Sequence, residues 1–275
     1  MPTKPKQPAE IWIFDVDGVI TDPATKTVLR PEIIHLIEQK LLTQTPVCFN
    51  TGRSTEWIKE TIIPHFKVDT PLTCLFSACE MGNTALQFDE HNKSKEVVHG
   101  QNLIPPKLSN TIREIVLSSY NDSMFVDETK KSILTIEMKN NFSLAAYEEL
   151  QSKLSGEIRI ILKNYHPGIH VRPSSSSIAI DVKPITSNKE FGAKQILTWL
   201  KSRKFNLKDV CLTAFGDSLS DFQMSEFFVS CGLSTKFVYV GEDTLNQQTT
   251  YETISTKAHY SEGTLEYIKS QDLLS

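Results

Sequence analysis

The segment Ile11-Trp12-Ile13-Phe14-Asp15-Val16-Asp17-Gly18-Val19-Ile20-Thr21-Asp22 decides the fold of this chain. Its first four residues are all apolar, and such a short run is typical of a strand buried in a parallel sheet. Asp15 and Asp17 follow the run directly. Because side chains two residues apart on an extended segment point to the same side, the segment predicts a buried strand whose end presents two carboxylates together.

Strands and helices alternate on both sides of this segment. Ile33, Ile34, Ile37 and Leu41 have the spacing of an amphipathic helix that begins at Pro31. The same reasoning predicts a strand at 47–49, a helix at 55–63, a helix at 191–200 and strands at 210–215 and 237–240. This alternation is typical of an α/β fold, in which helices cover both faces of a parallel sheet.

The middle of the chain has a different pattern. A hairpin is predicted at 84–99, followed by helices and by strands at 133–138, 158–162 and 178–182. We therefore expect an α+β domain, residues 84–183, to be inserted into a core formed by residues 1–83 and 184–275.

Composition and charge exclude several classes of protein. The 275 residues carry a net charge of −4, without the basic excess that is usual in nucleic-acid-binding domains. The chain contains neither an apolar stretch long enough to span a membrane nor an apolar segment near its start that would act as a signal peptide. The five cysteines are odd in number, and most lie in apolar runs that favour buried free thiols over a metal site. We therefore expect a cytoplasmic protein with no nucleic-acid or membrane partner.

The paired carboxylates at Asp15 and Asp17 have two alternatives to a catalytic role. An EF-hand calcium loop requires Asp or Asn at its fifth position and Glu at its twelfth. Val19 and Lys26 occupy those positions, which excludes such a loop. The second alternative is an acidic strand end with no catalytic function, and this segment alone does not decide against it.

A second polar segment, Asn50-Thr51-Gly52-Arg53-Ser54, lies between the second strand and its following helix. A hydroxyl group together with backbone N–H groups at a helix start can bind an anion. The alternative is that Thr51 or Ser54 serves only as the N-cap of the helix.

Two further candidate positions lie near the other end of the chain. Asp217 and Asp221 are four residues apart, so one helical turn would place both carboxylates on one face. Mg²⁺ is commonly held by one or two carboxylates together with a substrate phosphate, although an acidic capping turn would have the same residues. Lys189 begins a helix, where its positive charge lies at the positive end of the helix dipole. This placement costs about 0.3–1 kcal/mol unless water or an anion compensates.

Taken together, these segments predict one site. The carboxyl ends of parallel strands meet at one edge of a sheet, and the carboxylates expected there are Asp15, Asp17, Asp217 and Asp221. Two like charges 4 Å apart repel each other by about 4 kcal/mol at an effective dielectric constant of 20. Four such groups therefore require cations, which Mg²⁺ and Lys189 would supply. A cluster of carboxylates, Mg²⁺, lysine and threonine is suited to phosphoryl transfer.

The segments resemble, in order, the four motifs of the haloacid-dehalogenase (HAD) superfamily of phosphohydrolases. The matching residues are 15–22, Thr51-Gly52-Arg53, Lys189 and 216–221. The long insert between the second and third motifs is similar to that of subfamily IIB, which includes sucrose phosphatase, trehalose phosphatase, mannosyl-phosphoglycerate phosphatase and phosphomannomutase. The resemblance implies an α/β fold, with a Rossmann-like parallel-sheet core and an inserted α+β cap domain.

The resemblance also implies catalytic roles. Asp15 would attack phosphorus to form an aspartyl-phosphate, and Asp17 would protonate the leaving oxygen and then activate water. Lys189 would orient Asp15 and balance its charge. The substrate phosphate would be bound by Thr51, Gly52 and Arg53.

The Mg²⁺ ion would be bound by the Asp15 carboxylate, the Asp17 carbonyl group and Asp217, with Asp221 as a further ligand or as a partner of the ligands. The sequence departs from the motifs at three positions. Relatives often carry Asn where Ser218 and Ser220 stand, and Gly where Glu190 stands.

The substrate is expected to be a small phosphorylated metabolite, most plausibly a sugar phosphate. Arg172 or Lys163 of the cap would contact it, although positions on solvated strand faces are the favoured alternative for both, and His166 with His170 forms a less favoured zinc pair. A phosphomutase and a non-catalytic sugar-phosphate-binding protein remain alternatives, and the sequence does not indicate an oligomeric state.

Overall fold

The computed structural model describes residues 9–99, 104–139, 142–165, 171–176, 178–245 and 247–272. They form two compact units. The first comprises Met1–Val97 and Asn188–Ser275, and the second is Val98–Ser187.

The described elements alternate along the chain much as the sequence predicts. In chain order the strands are β1 (Ala9–Phe14), β2 (Val47–Asn50), β3 (Leu75–Cys79), β4 (Thr84–Phe88), β5 (Ser94–Val98), β6 (Met124–Val126), β7 (Leu134–Met138), β8 (Val171–Ser175), β9 (Ala179–Pro184), β10 (Val210–Gly216), β11 (Thr235–Tyr239) and β12 (Glu252–Ser255). The α-helices are α1 (Pro31–Leu42), α2 (Thr55–Thr61), α3 (Pro106–Ile115), α4 (Leu144–Asn164), α5 (Lys189–Ser202), α6 (Phe222–Ser230) and α7 (Tyr260–Asp272).

The first unit is built on an eight-stranded sheet with the order β12-β11-β10-β1-β2-β3-β4-β5. The six strands from β12 to β3 pair in parallel, which confirms the predicted α/β class. The central strand β1 has β2 on one side and β10 on the other, so the chain crosses over in both directions from it. Open parallel sheets bind ligands at such a switch point.

Helices cover both faces of this sheet. On one face, α1 contributes the predicted stripe of Ile33, Ile34, Ile37 and Leu41 to a core that also contains Ile268 of α7. On the other face, the core contains side chains of α5 and α6, including Ile196, Leu200, Phe222 and Phe228. With apolar side chains above and below, the central strands are buried throughout, as the apolar run at 11–14 predicts.

The second unit has its own sheet and its own core. Its strands pair antiparallel in the order β6-β7-β9-β8. Leu108 and Ile112 of α3 pack with Tyr147, Leu154 and Ile158 of α4 in one apolar cluster. A helix layer and an antiparallel sheet sharing a separate core form an α+β unit.

The boundaries of the units differ from the predicted ones at 84 and 183. The strand β4 pairs antiparallel with β3 of the larger sheet, and β5 lies next to β4. The predicted hairpin therefore extends the sheet of the first unit, and the second unit begins at Val98 and ends at Ser187. The pattern of two strands around a polar turn predicts a hairpin but does not indicate which sheet the hairpin joins.

Two further secondary-structure predictions need correction. The predicted strand at 158–162 is wrong, because these residues belong to the 21-residue helix α4, in which Ile158 is buried and Ile160 is exposed. The strand β3 was not predicted, although Leu75-Phe76-Ser77-Ala78-Cys79 is apolar enough to be buried along its whole length.

Most of the cysteines are buried free thiols, as the sequence predicts. Cys48, Cys74, Cys79 and Cys211 are buried free thiols, whereas Cys231 is exposed. Within the described part of the chain, every helix is too short or too polar to cross a bilayer.

Candidate active site

The site lies at the carboxyl edge of the first unit's sheet, where its central strands end. Phe14 of β1 is in register with Phe215 of β10 and with Phe49 of β2. The backbone N–H of Asp15 donates to the Phe215 carbonyl oxygen at 2.9 Å, so Asp15 leaves the sheet beside the end of β10. Thr51 and Asp217 follow β2 and β10 directly. The parallel register therefore brings the predicted motifs to one edge.

Four charged side chains form what we call the buried cluster: Asp15, Asp217, Asp221 and Lys189. Carboxylate oxygens of the three aspartates all lie within 4.8 Å of one another. The Lys189 ammonium lies 2.7 Å from Asp15 Oδ1 and 2.8 Å from Asp221 Oδ1. Three carboxylates thus face a single ammonium group in a site largely shielded from water.

Lys189 has an orienting role in this cluster. Its Nζ also donates to the backbone carbonyl oxygen of Asn50 at 2.9 Å. The hydrogen bond to Asn50 uses one of the three N–H donors of the ammonium, and the Asp15 and Asp221 carboxylates lie at ion-pair distance from the same group. Lys189 therefore fixes Asp15, Asp221 and the end of β2 relative to one another.

The start of α5 explains how Lys189 reaches this position. The Asn188 side chain accepts the Phe191 N–H at 2.8 Å and caps the helix. Asn50 Nδ2 donates to the Lys189 carbonyl oxygen at 2.8 Å. A Cβ atom at Gly192 would lie 1.9 Å from Asn50 Oδ1. The helix can approach β2 this closely because residue 192 has no side chain.

Asp221 is held by the residues immediately before it. Its Oδ2 accepts the backbone N–H of Ser218 at 3.0 Å and the Ser218 hydroxyl at 2.8 Å. The backbone contact is one half of a capping box at the 3₁₀ turn Leu219–Asp221, and in the other half the Asp221 backbone N–H donates to the Ser218 side chain. One oxygen of Asp221 is thus engaged by Ser218, and the other lies 2.8 Å from the Lys189 ammonium.

Burial raises the pKa of both Asp15 and Asp217. For Asp15 the burial effect is opposed by Lys189 and reinforced by Asp221 and Asp217, and its pKa lies well above the ordinary range. Burial and the Asp221 charge, partly offset by Lys189, raise the pKa of Asp217 to about 6. Burial alone would lower the pKa of Lys189, but the Asp15 and Asp221 charges outweigh it and raise that pKa. The cluster contains more negative charge than its one lysine neutralises.

Gly18 makes room for Asp217. A Cβ atom at Gly18 would lie 2.1 Å from Asp217 Oδ2, and the backbone of Gly18 has a φ of +75°, which residues with a side chain rarely adopt. The turn after β1 therefore passes against the Asp217 carboxylate. Hard oxygen ligands, a surplus of negative charge and a close-fitting turn suit a small divalent cation.

Asp17 belongs to a separate group, which we call the outer cluster: Asp17, Arg53 and Lys26. Arg53 donates from Nε to Asp17 Oδ2 at 2.8 Å and from its terminal nitrogen to Oδ1 at 2.9 Å. Lys26 Nζ lies 3.8 Å from Asp17 Oδ1. Burial opposes ionisation of Asp17, but the Arg53 hydrogen bonds and the charges of Arg53 and Lys26 outweigh it and lower the pKa. The two carboxylates that end β1 thus have opposite electrostatic environments.

Arg53 is itself fixed by the second motif. Its guanidinium group lies 4.7 Å from the centre of the Trp57 ring, on the first turn of α2. Its backbone N–H donates to Thr51 Oγ1 at 3.1 Å, and its carbonyl oxygen accepts the Glu80 N–H at 2.9 Å. Of the two predicted caps, Ser54 is the one whose hydroxyl accepts a helix N–H, from Trp57.

The structure thus divides the predicted site residues. Those of the first unit meet at one sheet edge, but the Asp17 side chain points to Arg53 and is not among the clustered carboxylates. Arg172 lies in β8 of the second unit, in register with Lys183 of β9. Lys163 lies near the end of α4, and His166 and His170 fall outside the described residues.

Three contributors to the site were missed: Lys26, Asn50 and, as the partner of Asp221, Ser218. Asn50 and Ser218 directly adjoin predicted residues, so their position in the sequence was a usable signal. No comparable signal marked Lys26, because its contact depends on how the loop after β1 folds back.

Solved structures with the same fold include several phosphatases and hydrolases. The C-terminal domain of C. albicans trehalose-6-phosphate phosphatase is 13% identical, with a TM-score of 0.66 and coverage of 97% of this chain and 93% of that one. A haloacid dehalogenase-like hydrolase from Bacteroides thetaiotaomicron is 14% identical, with a TM-score of 0.64 and coverage of 96% and 99%. IMP-bound Plasmodium falciparum IMP-nucleotidase is 14% identical, with a TM-score of 0.56 and coverage of 96% and 68%.

No protein-family model and no curated protein sequence matches the chain. At identities of 13–14%, the structural likeness extends to the fold. The order of the strands, the crossover at β1 and the matched structures agree: the chain has the fold of the haloacid dehalogenase-like hydrolases.

Proposed function

We propose that this protein is a Mg²⁺-dependent phosphatase of the HAD superfamily that hydrolyses a small phosphorylated metabolite through an aspartyl-phosphate. The observation that carries the proposal is the pair of aspartates at the end of β1. Asp15 is fixed against Lys189 in the buried cluster, whereas Asp17, two residues later, is held apart by Arg53. One strand end thus presents two carboxyl groups suited to different tasks.

Asp15 is the proposed nucleophile. Its Oδ1 accepts the Val16 N–H at 2.6 Å and faces Lys189 at 2.7 Å, so the orientation of the carboxylate is fixed before substrate binds. In the first step Asp15 attacks phosphorus, the bond from phosphorus to the ester oxygen breaks, and Asp17 gives its proton to that oxygen. Preorganised groups of this kind account for most of the catalysis in phosphoryl transfer.

Asp17 is the proposed acid and base. After the first step Asp17 is a carboxylate, and it accepts a proton from the water that attacks the phosphorus of the intermediate. The bond between Asp15 and phosphorus then breaks, which regenerates Asp15 and releases inorganic phosphate. Thr51, the Gly52 backbone and Arg53 are proposed to bind the phosphate oxygens, since their loop follows β2 at the same edge.

Asp15 and Asp217, with the Asp17 carbonyl group, are the residues proposed to hold Mg²⁺. The clustered oxygens and the turn at Gly18 support this assignment. When bound, Mg²⁺ supplies positive charge to the phosphate oxygens and to the nucleophile. Asp221 is proposed to act through Lys189, because Ser218 already engages its Oδ2.

A sugar phosphate is the proposed substrate, and the inserted unit is proposed to select it. Arg172, an exposed residue of β8, is proposed to contact the substrate. Trehalose-6-phosphate phosphatase, a protein that shares the fold, acts on a substrate of this class. A cytoplasmic location stays a prediction, consistent with the buried free thiols.

Release of inorganic phosphate from a panel of esters tests the proposal. The panel contains hexose phosphates, trehalose-6-phosphate, IMP and 4-nitrophenyl phosphate, each assayed with Mg²⁺ and with EDTA. We expect Mg²⁺-dependent release by the wild type and none above background by Asp15→Asn. Asp209→Asn, an exposed aspartate just before β10, serves as the matched control.

Three outcomes contradict the proposal in different ways. Equal release by wild type and Asp15→Asn removes the nucleophile assignment. Isomerised sugar phosphate without free phosphate identifies a mutase. Thermal stabilisation by sugar phosphates without turnover of any ester identifies a binding protein.

A further inference from the structure

We propose that Lys26 is a positioning residue that, together with Arg53, holds the Asp17 carboxyl group in the orientation needed for proton transfer to the leaving oxygen. The inference rests on the proposed phosphatase function. It concerns a residue outside the motif matches, whose place in the site becomes visible only in the folded chain.

The first observation is that Asp17 has a cation on each side. Arg53 forms two hydrogen bonds that engage both carboxylate oxygens, at 2.8 and 2.9 Å. Lys26 Nζ approaches Oδ1 at 3.8 Å. The two hydrogen bonds from the Arg53 guanidinium group fix the plane of the Asp17 carboxylate. Lys26 adds a third charge contact, which opposes rotation of the carboxylate out of that plane.

The second observation is that the loop carrying Lys26 is internally braced. Lys26 has a φ of +58°, a left-handed conformation that is unfavourable for a residue with a Cβ atom. The Lys26 N–H donates to the Asp22 carbonyl oxygen at 2.9 Å, and the Asp22 N–H donates to the Thr27 carbonyl oxygen at 2.9 Å. Asp22 Oδ1 accepts the N–H groups of Ala24 and Thr25 at 3.0 and 2.7 Å. The loop thus holds Lys26 at Asp17 despite the backbone strain.

Stability alone does not account for this arrangement. The side chains of Lys26 and Asp17 are each 30% exposed, and an ion pair in that setting contributes little to folding. Glycine or asparagine would adopt the same backbone conformation more readily. A lysine at this strained position is better explained by what its ammonium does to Asp17 than by what it adds to the fold.

The proton transfer that Asp17 performs gives this role a specific consequence. When phosphorus leaves an alkyl ester oxygen, that oxygen becomes an alkoxide unless it receives a proton, so the acid is essential. A 4-nitrophenolate group is stable as an anion and leaves without a proton. Misorienting Asp17 must therefore slow the first step, the transfer of phosphorus to Asp15, more for alkyl esters than for 4-nitrophenyl phosphate.

The experiment compares kcat/KM for a hexose phosphate and for 4-nitrophenyl phosphate in wild type, Lys26→Asn and Lys26→Arg, because kcat/KM reports the first step and not the hydrolysis of the intermediate that both esters share. Asparagine tolerates the left-handed backbone but lacks the charge, and arginine retains the charge. General acid catalysis contributes about 10²–10⁴-fold, and we expect Lys26→Asn to lose about tenfold or more in kcat/KM on the hexose phosphate. We expect its kcat/KM on 4-nitrophenyl phosphate to stay within about twofold, and Lys26→Arg to recover the wild-type kcat/KM on the hexose phosphate.

Lys59→Met serves as the control, because it removes a lysine of the same unit that pairs with Glu56 on α2. It is expected to leave both rates unchanged, and urea unfolding of each variant checks that the fold is retained. Equal losses by Lys26→Asn on the two esters, or no loss on either, would overturn the positioning role while leaving the phosphatase intact. Absence of phosphate release from both esters by the wild type contradicts the proposed function itself, and the positioning role with it.

Discussion

The two aspartates at the end of β1 lie two residues apart but in very different surroundings. Asp15 belongs to the buried cluster, in which the Lys189 side chain is 5% exposed and the Asp221 side chain is fully buried. Asp17 belongs to the outer cluster, in which the side chains of Asp17 and Arg53 are 30% and 18% exposed. Asp15 is thus held by buried partners, whereas the partners of Asp17 remain accessible to a ligand.

The difference also affects the protons. Burial and neighbouring carboxylates raise the pKa of Asp15, whereas the outer cations overcome burial and lower the pKa of Asp17. A nucleophile must be ionised and an acid must be protonated, so each shift in pKa opposes the proposed role. A divalent cation beside Asp15 would lower the pKa of Asp15, and a phosphate dianion beside Arg53 would offset part of the positive charge that lowers the pKa of Asp17.

Removing the two central cations in turn gives the largest contrast between the clusters. Lys189→Met leaves buried carboxylates without their ammonium partner, and we expect a loss of about 3–5 kcal/mol in the free energy of unfolding. Arg53→Met removes a partly exposed ion pair and is expected to cost about 0–1 kcal/mol. Urea unfolding curves measure both values. Equal losses in the free energy of unfolding would show that the two cations contribute equally to stability, which contradicts the contrast between the clusters.

Gly18→Ala tests how closely the turn after β1 fits Asp217. Its new Cβ would lie 2.1 Å from Asp217 Oδ2, at a φ of +75°. We expect the Mg²⁺ concentration for half-maximal activity to rise by about 10–100-fold, the range found when groups supporting a metal ligand are disturbed. Gly156→Ala in α4 is the matched control, because its Cβ meets nothing within 4 Å. An unchanged Mg²⁺ requirement in Gly18→Ala would contradict the assignment of Asp217 as a metal ligand.

Ser218→Ala examines the support of Asp221 within the buried cluster. The substitution removes the 2.8 Å hydroxyl contact to Asp221 Oδ2 and leaves the backbone contact in place. Loss of such a capping side chain costs about 0.5–2 kcal/mol, and we expect a decrease in that range in urea unfolding. Ser220→Ala, which removes an exposed hydroxyl next to Ser218, should have a smaller effect. A larger effect from Ser220→Ala would argue against the capping role of Ser218.

The pH dependence of stability tests the environment of Asp217 in the buried cluster. Asp217 has a folded-state pKa of about 6, above its usual value of 3.8, so the folded state binds its proton more tightly than the unfolded state does. Its contribution to stability is present below pH 4 and is lost as the pH rises through about 6. In EDTA, Asp217→Asn should therefore lose less stability than wild type between pH 4 and pH 7. Parallel pH profiles for the two proteins would contradict the raised pKa.

Much of the site follows from strand ends alone. Parallel register brings the residues after β1, β2 and β10 to one edge, so Asp15, Thr51 and Asp217 could be placed together from sequence. The position of Lys189 at a helix start left compensation by water as an alternative, and its role came from the resemblance to the third HAD motif.

The remaining features depend on tertiary contacts that local patterns do not encode. Lys26 meets Asp17 through a left-handed backbone that sequence alone gave no reason to expect at a lysine. The hairpin of β4 and β5 joins the larger sheet because β4 pairs with β3, and hairpin periodicity is the same in either sheet. The segment at 158–162, which is apolar except for Arg159, continues a helix in which Ile160 is exposed. In each case the structure depends on contacts outside the short segment from which the prediction was made.

Trapping the covalent intermediate tests the central claim most directly. Asp17→Asn retains the proposed nucleophile but lacks the base that activates water, so its phosphorylated form should accumulate on 4-nitrophenyl phosphate. After an acid quench, mass spectrometry of the proteolytic fragments should find phosphate on Asp15. Turnover by the wild type with no phosphate on Asp15 in the variant, or with phosphate on another residue, would contradict the account.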